Sequence, residues 1–189
     1  MLKYKTIIAC GLSGAIFSVV GALATQYASD EFLMWALGIV LVIFAIMIYV
    51  ENRRKNREAK ERQSLREKAF YTTLIGAIAG FASGFLGIGG GVILVPLLAK
   101  LRKLTYKQAI PCSLAIMLIY LIPASITHFT LGNVDLTLFV ALFGGSVLGA
   151  WIGAKNITRM GEREVRKWFA ITLIFFGLLV LLHKIGIIP

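Results

Sequence analysis

Ser83-Gly84-Phe85-Leu86-Gly87-Ile88-Gly89-Gly90-Gly91 places five glycines within eight positions, in the middle of an apolar stretch running from Phe70 to Ala99. Each glycine costs about 1 kcal/mol relative to alanine in a helix interior. Pro96, just beyond, removes a further backbone donor. The stretch therefore predicts two half-helices around a break. In hydrocarbon a break survives only where protein buries it or a wet cavity solvates it. The same residues thereby become the leading candidate for a binding site.

The chain around this segment has 189 residues, a mean hydropathy of +0.83, 58% hydrophobic residues and 15% charged ones. That composition excludes a soluble domain of this length and predicts an all-α integral membrane protein. Apolar segments long enough to cross a ~30 Å hydrocarbon core fall at 6–26, 32–50, 108–130, 135–154 and 165–183. The fold expected is five full transmembrane helices plus the broken segment at 70–99, with a hairpin at 1–50, a linker at 51–69 and a second unit at 70–189. Lys3 and Lys5 ahead of an apolar run ending in Ala22-Leu23-Ala24 resemble a signal peptide, but the run is long for one and has a counterpart later in the chain.

The net charge of +11 points to nucleic acid in a soluble protein. Here the basic residues fall between apolar stretches, as topology-setting loops do, and no nucleic-acid partner is expected. Cys10 and Cys112 lie in apolar segments without metal-ligand spacing, and read as packing residues; no metal or cofactor is expected. From Glu51 to Lys68 run eight Lys/Arg and four Glu with no Gly or Pro, a solvated helical linker.

Loop charge decides how the broken segment is threaded. If it re-enters and returns to one side, every Lys and Arg except Lys184 shares a single face, opposite Asp30, Glu31 and Asp135. If it crosses fully, the basic residues from Lys100 to Lys167 move to the other face and the positive-inside rule is violated. The re-entrant path is preferred. It predicts a cytoplasmic N-terminus and linker 51–69 and an external C-terminus, in a cell inner (plasma) membrane. Gly21-Ala22 aligns with Gly153-Ala154 and Trp35 with Trp168, so the hairpin at 6–50 resembles the one at 136–184. On this threading the two copies are inverted, a degenerate inverted repeat of the kind that carries broken helices near the bilayer middle in secondary transporters.

The pattern Gly80-x-x-Ser83-Gly84-x-x-Gly87-x-Gly89-Gly90-Gly91 with Pro96, then Ala109, Ser113, His128, Gly132, Asp135, Gly145, Gly149-Ala150 and Gly153-Ala154, resembles the TauE/SafE (sulfite exporter) family of membrane permeases. The resemblance is good over 70–186 and loose over 6–50. It implies a permease for a small anion: sulfite, a sulfonate or a related organosulfur compound. Family members carry a glycine-rich segment at the head of each half, whereas this chain carries one. About sixty residues equivalent to 70–130 are thus expected to be missing ahead of Met1, and a homodimer or a separately encoded half is expected to replace them. The alternative reading is a truncated transporter subunit or membrane interaction protein that does not act alone.

Half-helix N-termini offer free N–H groups and partial positive charge, which suits an anion, and glycine lets a ligand approach the backbone closely. The candidate substrate site is therefore Ser83, Gly84, Gly87, Gly89, Gly90 and Gly91. The competing reading is that these glycines only permit close helix packing. Ser113 is a second contact implied by the resemblance; by itself a membrane serine bonds to its own helix. His128 could couple anion movement to protons, or be a hydrogen-bonded interfacial histidine. His183 reads as interfacial. Gly144, Gly145, Gly149 and Gly153 suggest close contact between helices. No carboxylate lies deep within a span, so sodium coupling or a carboxylate relay is not expected. No H-E-x-x-H, paired aspartates or G-x-S-x-G occurs, so no catalytic residue is assigned.

Overall fold

Short-range caps set the helix starts in the computed structural model, which describes residues 4–51, 65–102 and 104–184. Ser29 Oγ accepts from the Phe32 amide at 3.3 Å, and Asp30 and Glu31 occupy the first turn that follows, where carboxylates complement the helix dipole. Thr105 and Gln108 form a capping box. Asp135 Oδ1 accepts from the Thr137 and Leu138 amides at 2.8 and 3.1 Å. The helices so started are α1 (Tyr4–Ala24), α2 (Asp30–Glu51), α3 (Leu65–Leu86), α4 (Gly91–Leu101), α5 (Tyr106–Thr130), α6 (Leu136–Ile157) and α7 (Glu162–Lys184). No strand occurs among the described residues.

By length and composition α1, α2, α5, α6 and α7 suffice to cross a membrane. The 11 residues of α4 extend only about 16 Å and do not. The basic linker expected at 51–69 lies for the most part outside the described residues, as do Lys3 and Lys103.

Contacts at the helix ends fix the threading. Lys184 Nζ lies 2.6 Å from Glu31 Oε1, which puts the start of α2 and the end of α7 together. At the other end the Glu162 carboxylate accepts from the amides of Tyr106 and Lys107, so α5 and α7 start side by side. Arg102, immediately after α4, donates to Thr72 Oγ1 at 3.0 Å. The broken segment therefore leaves at the end where it entered, along the re-entrant path that loop charge predicts. Its tip is not at mid-depth, as the transporter analogy suggested. Gly84 lies against Ser18 and Ala22 in the last turns of α1, and the Phe85 ring is 6.3 Å from that of Phe32 near the start of α2. The reason is length: Phe70–Leu86 is long enough to rise almost through the membrane before it breaks.

Glu162 removes two orphan amides from the start of α5. Glu162→Ala is expected to lower stability by about 1–2 kcal/mol, read as a fall in the thermal unfolding midpoint of detergent-solubilised protein.

The bundle is held by interlocked small residues. A Cβ added to Gly76, Gly80 or Gly84 would overlap the carbonyl oxygen of Cys10, Gly14 or Ser18 respectively. Both helices thus present small residues every four positions, and their backbones touch. Ser13 Oγ donates to the Thr73 carbonyl at 3.1 Å and Ser18 Oγ to that of Tyr120 at 3.1 Å, tying α1 to α3 and α5. On the other side α2 grips α7: Gly38 faces Leu181, and Gly177 faces Leu41 and Val42.

Helix α6 stands apart. None of its residues is buried, and a Cβ on Gly144, Gly145, Gly149 or Gly153 would find nothing within 4 Å beyond its own helix. The close contact expected from this stripe is not made among the described residues. Its hairpin partner α7 is engaged by α2, and no hydrophobic force drives helices together in hydrocarbon.

Candidate functional site

The break between α3 and α4 is built by backbone conformation. Gly87, Gly89 and Gly90 have φ of 68°, 71° and 70°, the left-handed region that residues with a Cβ rarely adopt. Gly90 is the N-cap of α4, and its carbonyl accepts from the Ile93 and Leu94 amides at 3.1 and 2.8 Å. Upstream of these bonds, the amide N–H groups of Ile88, Gly89, Gly90, Gly91 and Val92 have no hydrogen-bond acceptor among the described residues. Successive amides in such a turn, opening a helix, form a concave set of donors with the positive end of the helix dipole behind it.

Ser83 adds a hydroxyl to this set. It is 3% exposed, and its Oγ has no hydrogen-bond partner among the described residues. A buried unsatisfied hydroxyl costs about 1–3 kcal/mol, and Ser83 Cβ lies 3.1 Å from where a Gly90 Cβ would be.

Tyr120, which sequence reasoning missed, holds the turn in place. It is fully buried, its hydroxyl donates to the Gly89 carbonyl at 2.9 Å, and its ring packs on Gly14 of α1. Met117 covers the turn from the same helix, its Sδ 3.1 Å from the position of a Gly91 Cβ. A tyrosine hydroxyl deep in an apolar span needs a partner, and that was the one signal available.

His128 reaches the break from the end of α5. Its Nε2 is 2.8 Å from the Gly84 carbonyl oxygen, which can only accept, so Nε2 carries the hydrogen. Nδ1 lies 3.5 Å from Asn133 Nδ2. His128 thus binds the C-terminal end of α3 and does not bond to Ser83.

The predicted site residues divide. Gly87, Gly89 and Gly90 serve the turn, and Gly91 opens α4 under Met117. Gly84 is a packing residue against α1 whose carbonyl holds His128. Ser113 is buried, but its hydroxyl donates to the Ile110 carbonyl at 2.7 Å. It sits seven residues before Tyr120, roughly 10 Å along the helix, so it is not drawn into the break. Its own helix satisfies it.

Comparison with known proteins gives one consistent answer. A family model described as Sulfite exporter TauE/SafE matches residues 1–180, so the first hairpin is covered along with the glycine-rich unit. The chain is similar to the probable membrane transporter protein YunE of Bacillus subtilis (strain 168), 26% identical over 93% of this chain and 71% of the relative. It is similar to YdhB of the same organism, also named a probable membrane transporter protein, at 24% identity over 95% of this chain and 74% of the relative. A third relative, the probable membrane transporter protein MJ0441 of Methanocaldococcus jannaschii, is 25% identical over 96% of this chain and 69% of its own length. No solved structure matches.

Proposed function

Since this chain belongs to the sulfite exporter TauE/SafE family, we propose that it is a permease for a small oxyanion, sulfite or a sulfonate, bound at the break between α3 and α4. The observation that carries this reading is the cluster of five unpaired amides beside the unpartnered, buried Ser83 hydroxyl. The amides can only donate and the Ser83 hydroxyl can rotate to donate as well, which is what an oxyanion requires. The proposed orientation puts the basic end, and with it the N-terminus, in the cytoplasm of a plasma membrane. The test is flux of labelled sulfite or methanesulfonate into proteoliposomes holding the purified chain. Saturable, gradient-driven uptake supports a permease. Unsaturable conductance indicates a pore instead.

Ser83→Ala separates a binding role from a structural one. The hydroxyl satisfies nothing in the unliganded protein, so the variant should be at least as stable as wild type, and by up to about 1–3 kcal/mol more stable. Substrate should bind about tenfold more weakly, read as a raised KM for flux.

His128 is proposed as the group that senses a proton gradient. His128→Gln keeps a donor for the Gly84 carbonyl and removes the imidazole. Uptake driven by a pH gradient should fall several-fold, and substrate exchange at equal pH should not.

A second reading, a transporter subunit that acts only with another polypeptide, is favoured by α6. Its small residues recur every four positions, as on the stripe of α1 that grips α3, yet a Cβ on them would touch nothing beyond its own helix. Absence of flux from the purified chain, restored by adding a second polypeptide, supports that reading over an autonomous permease.

A further inference from the structure

The unpartnered, deeply buried Ser83 hydroxyl, together with the open N-terminus of α4, marks a ligand site, and the charges around that site are as informative as its donors. This argument rests on the reading that the break holds the substrate.

Each group that can meet the substrate there is a neutral dipole: five backbone amides and the Ser83 hydroxyl. Among the described residues, every Lys and Arg other than Lys184 lies toward the opposite end of the bundle. Arg102, tied to Thr72, follows Gly91 by eleven positions, roughly 16 Å along α4. Lys184 is paired with Glu31. The tip is instead near carboxylates. Asp30 and Glu31 precede Phe32, whose ring meets Phe85, and Asp135 caps α6 at the same end. The titratable groups of α5 at this level are Tyr120 and His128, which donate to the Gly89 and Gly84 carbonyls. On α1 the titratable positions are Tyr4, Lys5 and Cys10, well before Ser18 along the helix. On α3 and α4 the titratable positions are Arg66, Glu67, Lys68, Tyr71 and Lys100, at the far end of the helices, and on α7 His183 and Lys184 share the acidic end.

Two energies then scale differently with the charge of the anion. Attraction to fixed neutral dipoles grows in proportion to charge. The cost of leaving water grows roughly as its square, so a dianion loses about four times the hydration of a monoanion for about twice the attraction. Repulsion from Asp30 and Asp135 adds to the dianion's disadvantage. Without a cation to close the gap, we infer that this site accepts singly charged oxyanions, bisulfite or a sulfonate, and discriminates against the doubly charged sulfite ion.

The experiment uses the full chain in proteoliposomes, with flux through protein-free vesicles subtracted, and compares labelled sulfite with labelled methanesulfonate from pH 6 upward. Methanesulfonate stays a monoanion throughout, so it reports any effect of pH on the protein itself. The ratio of sulfite to methanesulfonate flux reports only the charge of the substrate. Above the second ionisation of sulfite the ratio should fall about tenfold per pH unit, following the bisulfite fraction. A ratio that stays flat or rises with pH overturns the inference and leaves the anion-permease reading standing. Absence of flux for both anions at every pH overturns that reading, and the inference with it.

Discussion

Gly90→Val should reduce flux at least a hundredfold while the protein still inserts in the membrane and purifies as a folded species. Two effects add at this position. The native φ of 70° puts any L-residue at a disadvantage of about 1–2 kcal/mol, and a β-branched one at more. The new Cβ would also overlap the Tyr120 hydroxyl and come within 2.8 Å of the Ala79 carbonyl oxygen. The turn has to open and lose its Tyr120–Gly89 hydrogen bond, and the unpaired amides of Ile88 to Val92 lose the arrangement that the turn gives them. The α1–α3 interface extends well below the turn, to Gly80 and Gly76, and the α2–α7 interface is remote. Gly87→Ala is the companion variant. Gly87 has φ of 68° but nothing within 4 Å, so alanine there meets the conformational cost alone and a partial loss of flux is expected. Normal transport by Gly90→Val, measured against wild type at equal protein in the vesicles, would show that the glycines serve packing alone.

What the sequence revealed follows from the range of the forces involved. The break between α3 and α4 was legible because glycine and proline act on their own backbone, and the start of α6 because its apolar run begins at once after Asp135, which the structure shows capping the amides two and three residues on. The re-entrant path was legible because loop charge reports topology. Contacts between distant residues were not. Nothing local separates Gly84, which packs on Ser18, from Gly87, which turns the chain. Tyr120 holds a carbonyl 31 positions away, and only the chemical awkwardness of a phenol in an apolar span hinted at it. Ser113 was drawn to the site by resemblance, and its own helix claims the hydroxyl. The small residues of α6 carry the same pattern as those of α1, yet one stripe is filled and the other is open.

That contrast makes Gly80→Leu the most damaging substitution for the fold. A Cβ at Gly80 would overlap the carbonyl and Cα of Gly14, so the obstacle is backbone and cannot swing aside. Helices α1 and α3 must separate along their whole contact. The Ser13–Thr73 and Ser18–Tyr120 hydrogen bonds lose their geometry as they do. Ordinary overpacking costs about 1–3 kcal/mol; with two backbones in collision the loss should exceed that range and remove most of the folded protein from detergent extracts. Gly149→Leu places the same side chain on the matching stripe of α6, where a Cβ finds nothing within 4 Å beyond its own helix. In a monodisperse single chain it should change stability by less than about 0.5 kcal/mol. Thermal unfolding and size-exclusion profiles of the two variants, run in parallel, check both. A large loss at Gly149, or a shift in its assembly size, would mean that a second polypeptide covers α6 as α3 covers α1.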